Sequence, residues 1–174
     1  MEEYLDIYDA DWKPTGEVLE KAEAERLGKW HRIVHFWIIN SKGELLQQLR
    51  SRTKKIYPGM WDSSTGGHVQ AGETLIDAGI REMFEELGVK ITAGQITEMG
   101  RNNFEKFWHL RTMFLVRLDL PLSAFSFNDN EVEAVRWMPW KQLYAMSEED
   151  VAAAGIMPTR DIAPLFEYLS RTQA

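Results

Sequence analysis

Three glutamates with helical spacing are the residues of this chain best suited to chemistry. Glu82, Glu85 and Glu86 stand at positions i, i+3 and i+4, so a helix would gather their carboxylates on one patch of its surface. Carboxylate oxygens are hard ligands, the type that Mg²⁺ prefers. Taken alone, such a run is more often a solvated acidic face, since the repulsion costs only roughly a few tenths of a kcal/mol per pair.

The residues around the glutamates favour a site. Residues 67–89 read GHVQAGETLIDAGIREMFEELGV. This segment resembles the Nudix signature, which runs Gly, five residues, Glu, seven residues and then R-E-U-x-E-E-x-G-U, where U is a bulky aliphatic residue. Met83 and Val89 satisfy the two U positions. With each fixed residue at about one in fifteen by composition, a chance match has a probability on the order of one in ten million.

The resemblance implies a Mg²⁺-dependent hydrolase that cleaves a diphosphate linkage in a nucleoside-diphosphate-linked or related small molecule, with Mn²⁺ as a substitute ion. It also implies that Glu82, Glu85 and Glu86 are metal ligands and catalytic residues. The backbone carbonyl of Gly67 or Gly66 is expected near the same ions. This chemistry is reasonable, because a diphosphate ester repels nucleophiles until a cation neutralises its charge.

Further residues of the motif are expected to support the glutamates. Arg81 lies one turn before Glu85 and can pair with it, which limits the repulsion and fixes the side-chain rotamers. Glu73 is expected to hold the junction of loop and helix through Arg81 or backbone amides. Gly66 is expected to shape the loop, and Gly88 to end the helix.

The sequence indicates the general base and the residues that contact the diphosphate less clearly than it indicates the metal ligands. A box glutamate is one candidate base, and Glu131 and Glu133, in NDNEVEAVRW, are candidates outside the box. We favour Glu131. Arg50 and Lys54 are expected to bind the diphosphate, because they are cationic and precede the glycine loop of an acidic protein. The alternative for both is a solvated hairpin edge.

A longer stretch resembles one branch of the same superfamily. The segments HRIVHFWIINSKGELL and LRSRTKKIYPGMWDSSTGGHVQAGE, within residues 28–90, are similar to isopentenyl-diphosphate isomerases. This resemblance implies that His31 and His68 bind metal and that Arg50 and Lys54 hold the diphosphate. Without the resemblance, these two histidines are more often buried or loop residues.

Departures from the isomerase pattern favour the hydrolase. Gly66 stands where the isomerase has its catalytic cysteine, and Glu82 stands where isomerases carry arginine. The glutamates expected around Phe107–His109 are missing. His35 and His109 are expected in the core or in a pocket wall. An isomerase-like enzyme and a non-catalytic Nudix ligand-binding module remain the alternatives.

The glutamates need a helix that packs on a sheet. A helix is predicted over Leu75–Leu87, with Thr74 and Asp77 as a capping box and Gly88 after its end. One face is apolar, and the glutamates occupy the opposite side. The remaining predicted strands are Tyr4–Tyr8, Glu17–Leu19, His31–Asn40, Leu45–Leu49, Trp108–Leu118 and Val132–Met138, and the remaining helices are Trp140–Met146 and Arg160–Ser170.

These elements predict an α+β fold, an α/β/α sandwich with a mixed β-sheet between helices. Residues 1–28 are expected to form an N-terminal β-hairpin extension of a single domain over residues 1–174. Gln95–Lys106 is interpreted as a loop. Together with the N-terminal segment and the C-terminal helices, this loop is expected to select the substrate, whose identity the sequence leaves open.

Composition limits the wider function. The net charge of −7 argues against binding to nucleic acid polymers. The absence of cysteine excludes disulfides, zinc–thiolate sites and thiol nucleophiles. Because the chain has neither an apolar run of roughly 20 residues nor a signal-peptide pattern, a soluble cytoplasmic protein without a membrane partner is expected. The oligomeric state is open, a homodimer included.

Overall fold

A mixed β-sheet lies between two layers of helices. The computed structural model describes residues 2–128, 130–158 and 162–172, and these ranges contain nine strands, five α-helices and short 3-10 turns. The strands are β1 (Tyr4–Tyr8), β2 (Pro14–Glu20), β3 (Trp30–Ile39), β4 (Glu44–Arg50), β5 (Trp61–Asp62), β6 (Thr65–His68), β7 (Ile96–Phe104), β8 (His109–Arg117) and β9 (Val132–Pro139). The helices are α1 (Lys21–Leu27), α2 (Leu75–Leu87), α3 (Trp140–Ala145), α4 (Glu148–Ala153) and α5 (Ala163–Thr172).

Strand β3 is the centre of the sheet, because its aromatic and β-branched residues are buried on both faces. It pairs in parallel with β8. It pairs antiparallel with β1 near its start, with β6 along its middle and with β4 at its end. Strand β9 adds to β4, and β7 adds to β8. Strand β3 therefore takes part in most of these pairings. Its pairing with β6 sets the position of the glycine loop, which β6 carries.

Alternate residues of β3 serve two apolar cores, as the two-residue period of a strand requires. The core on one face joins the sheet to α2 and includes Val34, Phe36, Ile38, Met83 and Leu87. The core on the other face joins the sheet to α3, α4 and α5 and includes Trp37, Ile39, Leu143, Val151 and Leu165. The predicted α/β/α sandwich with a mixed sheet is confirmed.

Helix α2 has the predicted bounds, and local chemistry explains both ends. The Thr74 hydroxyl accepts a hydrogen bond from the Asp77 backbone N–H, and Gly88 adopts a left-handed conformation with φ of 69°. Within the helix, a Cβ on Gly79 would lie 2.0 Å from Cζ of Phe36. Only glycine therefore allows α2 to approach β3 this closely.

The N-terminal hairpin is present, with additions that the sequence analysis missed. Strands β1 and β2 pair antiparallel, and β2 is longer than the predicted Glu17–Leu19. Helix α1 follows, in a run of good helix formers that ends at Gly28. None of the helices within the described ranges is long and apolar enough to cross a membrane.

The interpretation of Gln95–Lys106 as a loop is wrong, because Ile96–Phe104 is strand β7. Its polar residues hid it, since β7 is half exposed and has a bulge between Glu98 and Gly100 that breaks the two-residue alternation. The predicted start of the last helix, at Arg160, lies outside the described residues.

Candidate active site

The three glutamates of α2 differ in exposure. Glu82 and Glu86 are only 9% and 3% exposed, whereas the side chain of Glu85 is 48% exposed. The prediction that they share a face turned away from the sheet is therefore wrong for two of them, because β4 and β6 reach the flank of the helix. Buried carboxylates are costly unless they are paired or bind a cation, so each needs an identified partner.

The carboxylate of Glu86 is held by the sheet. Its Oε2 accepts hydrogen bonds from Thr65 Oγ1 at 2.5 Å and from Gln48 Nε2 at 3.1 Å. Both donors are buried, one on β6 and one on β4. These two bonds, from neighbouring strands of the sheet, fix the orientation of the Glu86 carboxylate.

Arg81 ties the other acidic residues together. Its Nε and Nη2 donate to the two oxygens of Glu73, each at 3.0 Å. Its Nη1 donates to Glu82 at 2.7 Å and to Glu85 at 3.0 Å, and Nη2 also donates to the backbone carbonyl of His68 at 2.9 Å. The guanidinium therefore joins the loop, the helix entrance and two glutamates in one network.

Burial and the charge of Arg81 act in opposite directions on the pKa of Glu82. Burial raises the pKa of the Glu82 carboxyl to about 7, against the opposing charge of Arg81. For Arg81, burial alone would lower the pKa, but its bonds to Glu73 and Glu82 outweigh burial and the net shift is upward. The arginine therefore stays charged, and an additional cation near Glu82 would favour its ionised form.

The glycine loop lies directly against these carboxylates. A Cβ on Gly67 would lie 2.0 Å from Glu82 Oε1, so the carboxylate occupies the space that any other residue would fill. A Cβ on Gly66 would lie 2.9 Å from both His35 Cδ2 and the Val34 carbonyl oxygen. The loop thus has no room for a cysteine at position 66 without movement of β3.

The donor chemistry of this region fits a hard divalent cation. Oxygen atoms are offered by the buried carboxylates of Glu82 and Glu86, by the exposed carboxylate of Glu85 and by the backbone of Gly67, which packs on Glu82. Mg²⁺ and Mn²⁺ prefer such ligands and a nearly octahedral arrangement.

Comparison with known proteins identifies the family. A family model described as NUDIX domain matches residues 29–159. This chain belongs to the Nudix family. Nudix hydrolase 3 of Arabidopsis thaliana is 32% identical over 183 aligned residues, which cover 97% of this chain but only 23% of that protein. The crystal structure of DR0079 from Deinococcus radiodurans has a TM-score of 0.73 at 30% identity and covers 95% of this chain and 98% of that one.

An isomerase relative is also found. An isopentenyl-diphosphate Delta-isomerase of Salmonella heidelberg is 44% identical over 92 residues, which cover 52% of this chain and 50% of that protein. The Nudix fold, the hydrolase family and the similarity to the isomerase branch, all predicted from the signature and its upstream segment, are therefore confirmed.

The residues predicted outside the Nudix box form two ion pairs at one end of β4. Lys54 contacts Glu131, and Arg50 Nη1 lies 3.3 Å from Asp62 Oδ2. The backbone N–H of Ser51 donates to the Glu131 carbonyl at 2.8 Å, which joins the two segments. The structure thus brings together Lys54 and Glu131, the predicted diphosphate ligand and the predicted base.

Some site residues were missed by the sequence analysis. Gln48 and Thr65 hold Glu86, and Asp62 pairs with Arg50, yet none belongs to a recognisable motif. Burial raises the pKa of Asp62 despite the charge of Arg50. The sequence offered one signal, a run of polar residues, Asp62 to Thr65, directly before the Nudix glycines.

Proposed function

We propose that this Nudix protein hydrolyses a diphosphate linkage in a nucleoside-diphosphate-linked or related small molecule, using Mg²⁺ or, as a substitute, Mn²⁺. The observation that supports this most is the complete network around Arg81, in which two glutamates of α2 and Glu73 are held by one guanidinium. A buried acidic cluster that is only partly neutralised is suited to divalent cations.

The chain's residues take distinct roles in this proposal. Glu82, Glu85, Glu86 and the Gly67 carbonyl would hold the metal, which would supply positive charge to neutralise the diphosphate and to activate water. Arg81 is a positioning residue, because it acts through the glutamates that it orients. Glu73 in turn holds Arg81, and Thr65 orients Glu86.

Lys54 and Glu131 are proposed to act together. In the free chain, the Lys54 ammonium pairs with the Glu131 carboxylate. A diphosphate oxygen competes for the same ammonium, and its arrival would release Glu131 to accept a proton from the attacking water. Arg50 would support the diphosphate on the same side, beside Asp62.

Isomerisation of a prenyl diphosphate is less well supported. That reaction in the similar isomerases needs a thiol that this chain lacks, and Gly66 is packed against β3. Incubation with isopentenyl diphosphate tests it directly, since isomerisation would produce the dimethylallyl isomer without release of phosphate. A non-catalytic binding module would instead bind its ligand tightly with no turnover.

A substrate panel tests the proposal. Nucleotide sugars, dinucleoside polyphosphates, oxidised nucleotides, coenzymes and prenyl diphosphates are each incubated with Mg²⁺ and a coupled phosphatase. We expect phosphate release from at least one diphosphate compound, and Glu86→Gln should reduce kcat by roughly 100-fold or more. Glu98→Gln, on the exposed part of β7, is the matched control. Equal rates in the two variants would refute the role of Glu86.

A further inference from the structure

The first loop of the Nudix box, residues 69–73, is held by the N-terminal extension. The backbone N–H of Ala71 donates to the Tyr4 carbonyl at 2.8 Å. The backbone N–H of Gly72 donates to Oδ2 of Asp6 at 2.9 Å. Both acceptors lie on β1, so the strand at the start of the chain contributes to the shape of a loop within the motif.

Arg32, on β3, makes a second connection to the same loop. Its Nη2 donates to the backbone carbonyl of Glu73 at 3.1 Å and lies 3.8 Å from Asp6 Oδ2. Its guanidinium carbon lies 4.8 Å from the centroid of the Tyr8 ring, which holds the side chain against β1. The Arg32 side chain is only 17% exposed, so its charge is screened less than that of a surface arginine. One guanidinium therefore touches both the extension and the backbone of Glu73.

Glu73 connects these contacts to the glutamates of α2. Its two carboxylate oxygens accept hydrogen bonds from Arg81, and Oε2 also accepts one from the Gln70 backbone N–H at 3.0 Å. Arg81 in turn donates to Glu82 and Glu85. A continuous path of hydrogen bonds and ion pairs therefore runs from β1 to two of the carboxylates that are proposed to hold the metal.

Strand β1 is a firm support for this path. Leu5 and Ile7, on either side of Asp6, are buried and pack with Ala24 of α1 in a small core of their own. Because successive side chains of a strand point to opposite faces, the burial of these two residues turns Asp6 to the other face, where the loop lies. The apolar core of the extension thus sets the direction of the Asp6 carboxylate.

We propose that Asp6 and Arg32 are positioning residues of the hydrolase, and that the N-terminal extension is part of the machinery that places the metal-binding carboxylates. The matched family domain covers residues 29–159, so Asp6 lies outside it. Asp6 acts through the loop backbone, and Arg32 acts through Glu73. This inference rests on the proposed function, and it gives the extension a role besides the substrate selection that the sequence predicts.

Asp6→Ala tests the path, with Asp11→Ala as the matched control. Asp11 lies in the turn of the same hairpin, and its ion pair with Lys13 spans 4.0 Å between side chains that are 80% and 75% exposed. We expect Asp6→Ala to weaken Mn²⁺ binding and to lower kcat by about tenfold each, the low end of the range for a lost supporting partner. KM at saturating Mg²⁺ should change little, because Arg50 and Lys54 are unaltered.

Two further variants show whether Asp6 and Arg32 act together. Asp6→Asn keeps an oxygen that accepts from the Gly72 N–H but loses the charge that faces Arg32, so its Mn²⁺ affinity should lie between those of the unaltered chain and Asp6→Ala. Arg32→Met removes the donors of the side chain and should also weaken Mn²⁺ binding. The double variant Asp6→Ala with Arg32→Met should lose less than the product of the two single losses. Losses that multiply fully would contradict a shared path.

A measurement without metal separates this inference from the proposed function. By nuclear magnetic resonance, the Gly72 amide of the unaltered chain should exchange slowly, and the Arg81 Nε–H should give a resolved signal because it is bonded to Glu73. Asp6→Ala should speed the Gly72 exchange and shift the Arg81 signal, while the amides of β3 stay protected and show that the fold is kept. Where that protection is lost, Asp6→Asn serves for the same comparison.

The outcomes are distinct. Hydrolysis of no panel compound by the unaltered chain would contradict the proposed function, and the exchange and Mn²⁺ measurements would still test the path. A folded Asp6→Ala that matches Asp11→Ala in Mn²⁺ affinity, kcat and Arg81 signal would overturn the inference. Fast exchange of the Gly72 amide in the unaltered chain would overturn it as well.

Discussion

Replacement of Gly67 by alanine tests the contact between the glycine loop and the acidic helix. The new Cβ would lie 2.0 Å from Glu82 Oε1, whereas ordinary van der Waals contact begins at 3.4 Å. Because no positive φ is involved at this position, the perturbation is one of space alone. Because a contact of 2.0 Å is far shorter than any that a real Cβ makes, the Glu82 carboxylate and the glycine loop must separate by about 1 Å or more.

The expected loss follows from that displacement. A misplacement of about 1 Å at a catalytic group can cost roughly 100-fold in rate, which corresponds to about 2.7 kcal/mol of transition-state stabilisation. We therefore expect kcat/KM of Gly67→Ala to fall by about 100-fold or more, with weaker Mn²⁺ binding. Stability should fall less, by roughly 1–3 kcal/mol, because the displaced group is the end of a side chain.

The assay compares Gly67→Ala with Gly94→Ala. Gly94 has no heavy atom within 4 Å of its added Cβ and no positive φ, so its variant carries the same chemical change without the clash. Hydrolysis of the best panel substrate is measured as a function of Mg²⁺, and Mn²⁺ binding is measured by electron paramagnetic resonance. Equal kcat/KM and equal Mn²⁺ affinity in the two variants would refute the reasoning about Gly67 and Glu82.

Three further predictions concern the surrounding groups. Thr65→Val removes a hydrogen bond to Glu86 and should weaken Mg²⁺ binding by roughly 10–100-fold, measured by calorimetry. Burial raises the pKa of Glu82 from 4.5 to about 7, so the folded chain binds this proton more tightly than the unfolded chain, and the group's contribution to stability falls as the pH rises from about 4.5 to about 7. Glu82→Gln in the metal-free protein should therefore raise the free energy of unfolding by up to roughly 3 kcal/mol at about pH 8 and change it little at about pH 4, as measured by denaturant unfolding. A larger stabilisation at about pH 4 than at about pH 8 would contradict the assigned burial. Lys54→Met, which frees Glu131 from its ion pair, should raise KM by about tenfold in steady-state kinetics while kcat changes little. An unchanged KM would exclude Lys54 from diphosphate binding.

Local signals explain what the sequence could predict. Helix α2 was placed correctly because Thr74 and Gly88 define its ends through contacts within a few residues. The strands β3 and β8 were found because their apolar and β-branched runs are long. The motif around the glutamates also specified the family, since its spacing is rare by chance.

Long-range pairing explains what the sequence could not predict. Gln48 and Thr65 reach Glu86 only because β4 and β6 both lie next to α2, and separations of 38 and 21 residues leave no pattern in the chain. His31 and His109 are neighbours for the same reason, since the parallel register of β3 and β8 sets one beside the other. Strand β7 was missed because its residues are mainly polar and because the bulge between Glu98 and Gly100 interrupts its alternation.

A crystal soaked with Mn²⁺ tests the central claim most directly, through the anomalous scattering of the ion. We expect a peak bounded by the carboxylates of Glu82 and Glu86 and the carbonyl of Gly67, with Arg81 still bonded to Glu73. Carboxylates that remain apart with no ion between them would contradict the assignment of the Nudix box as the catalytic metal site.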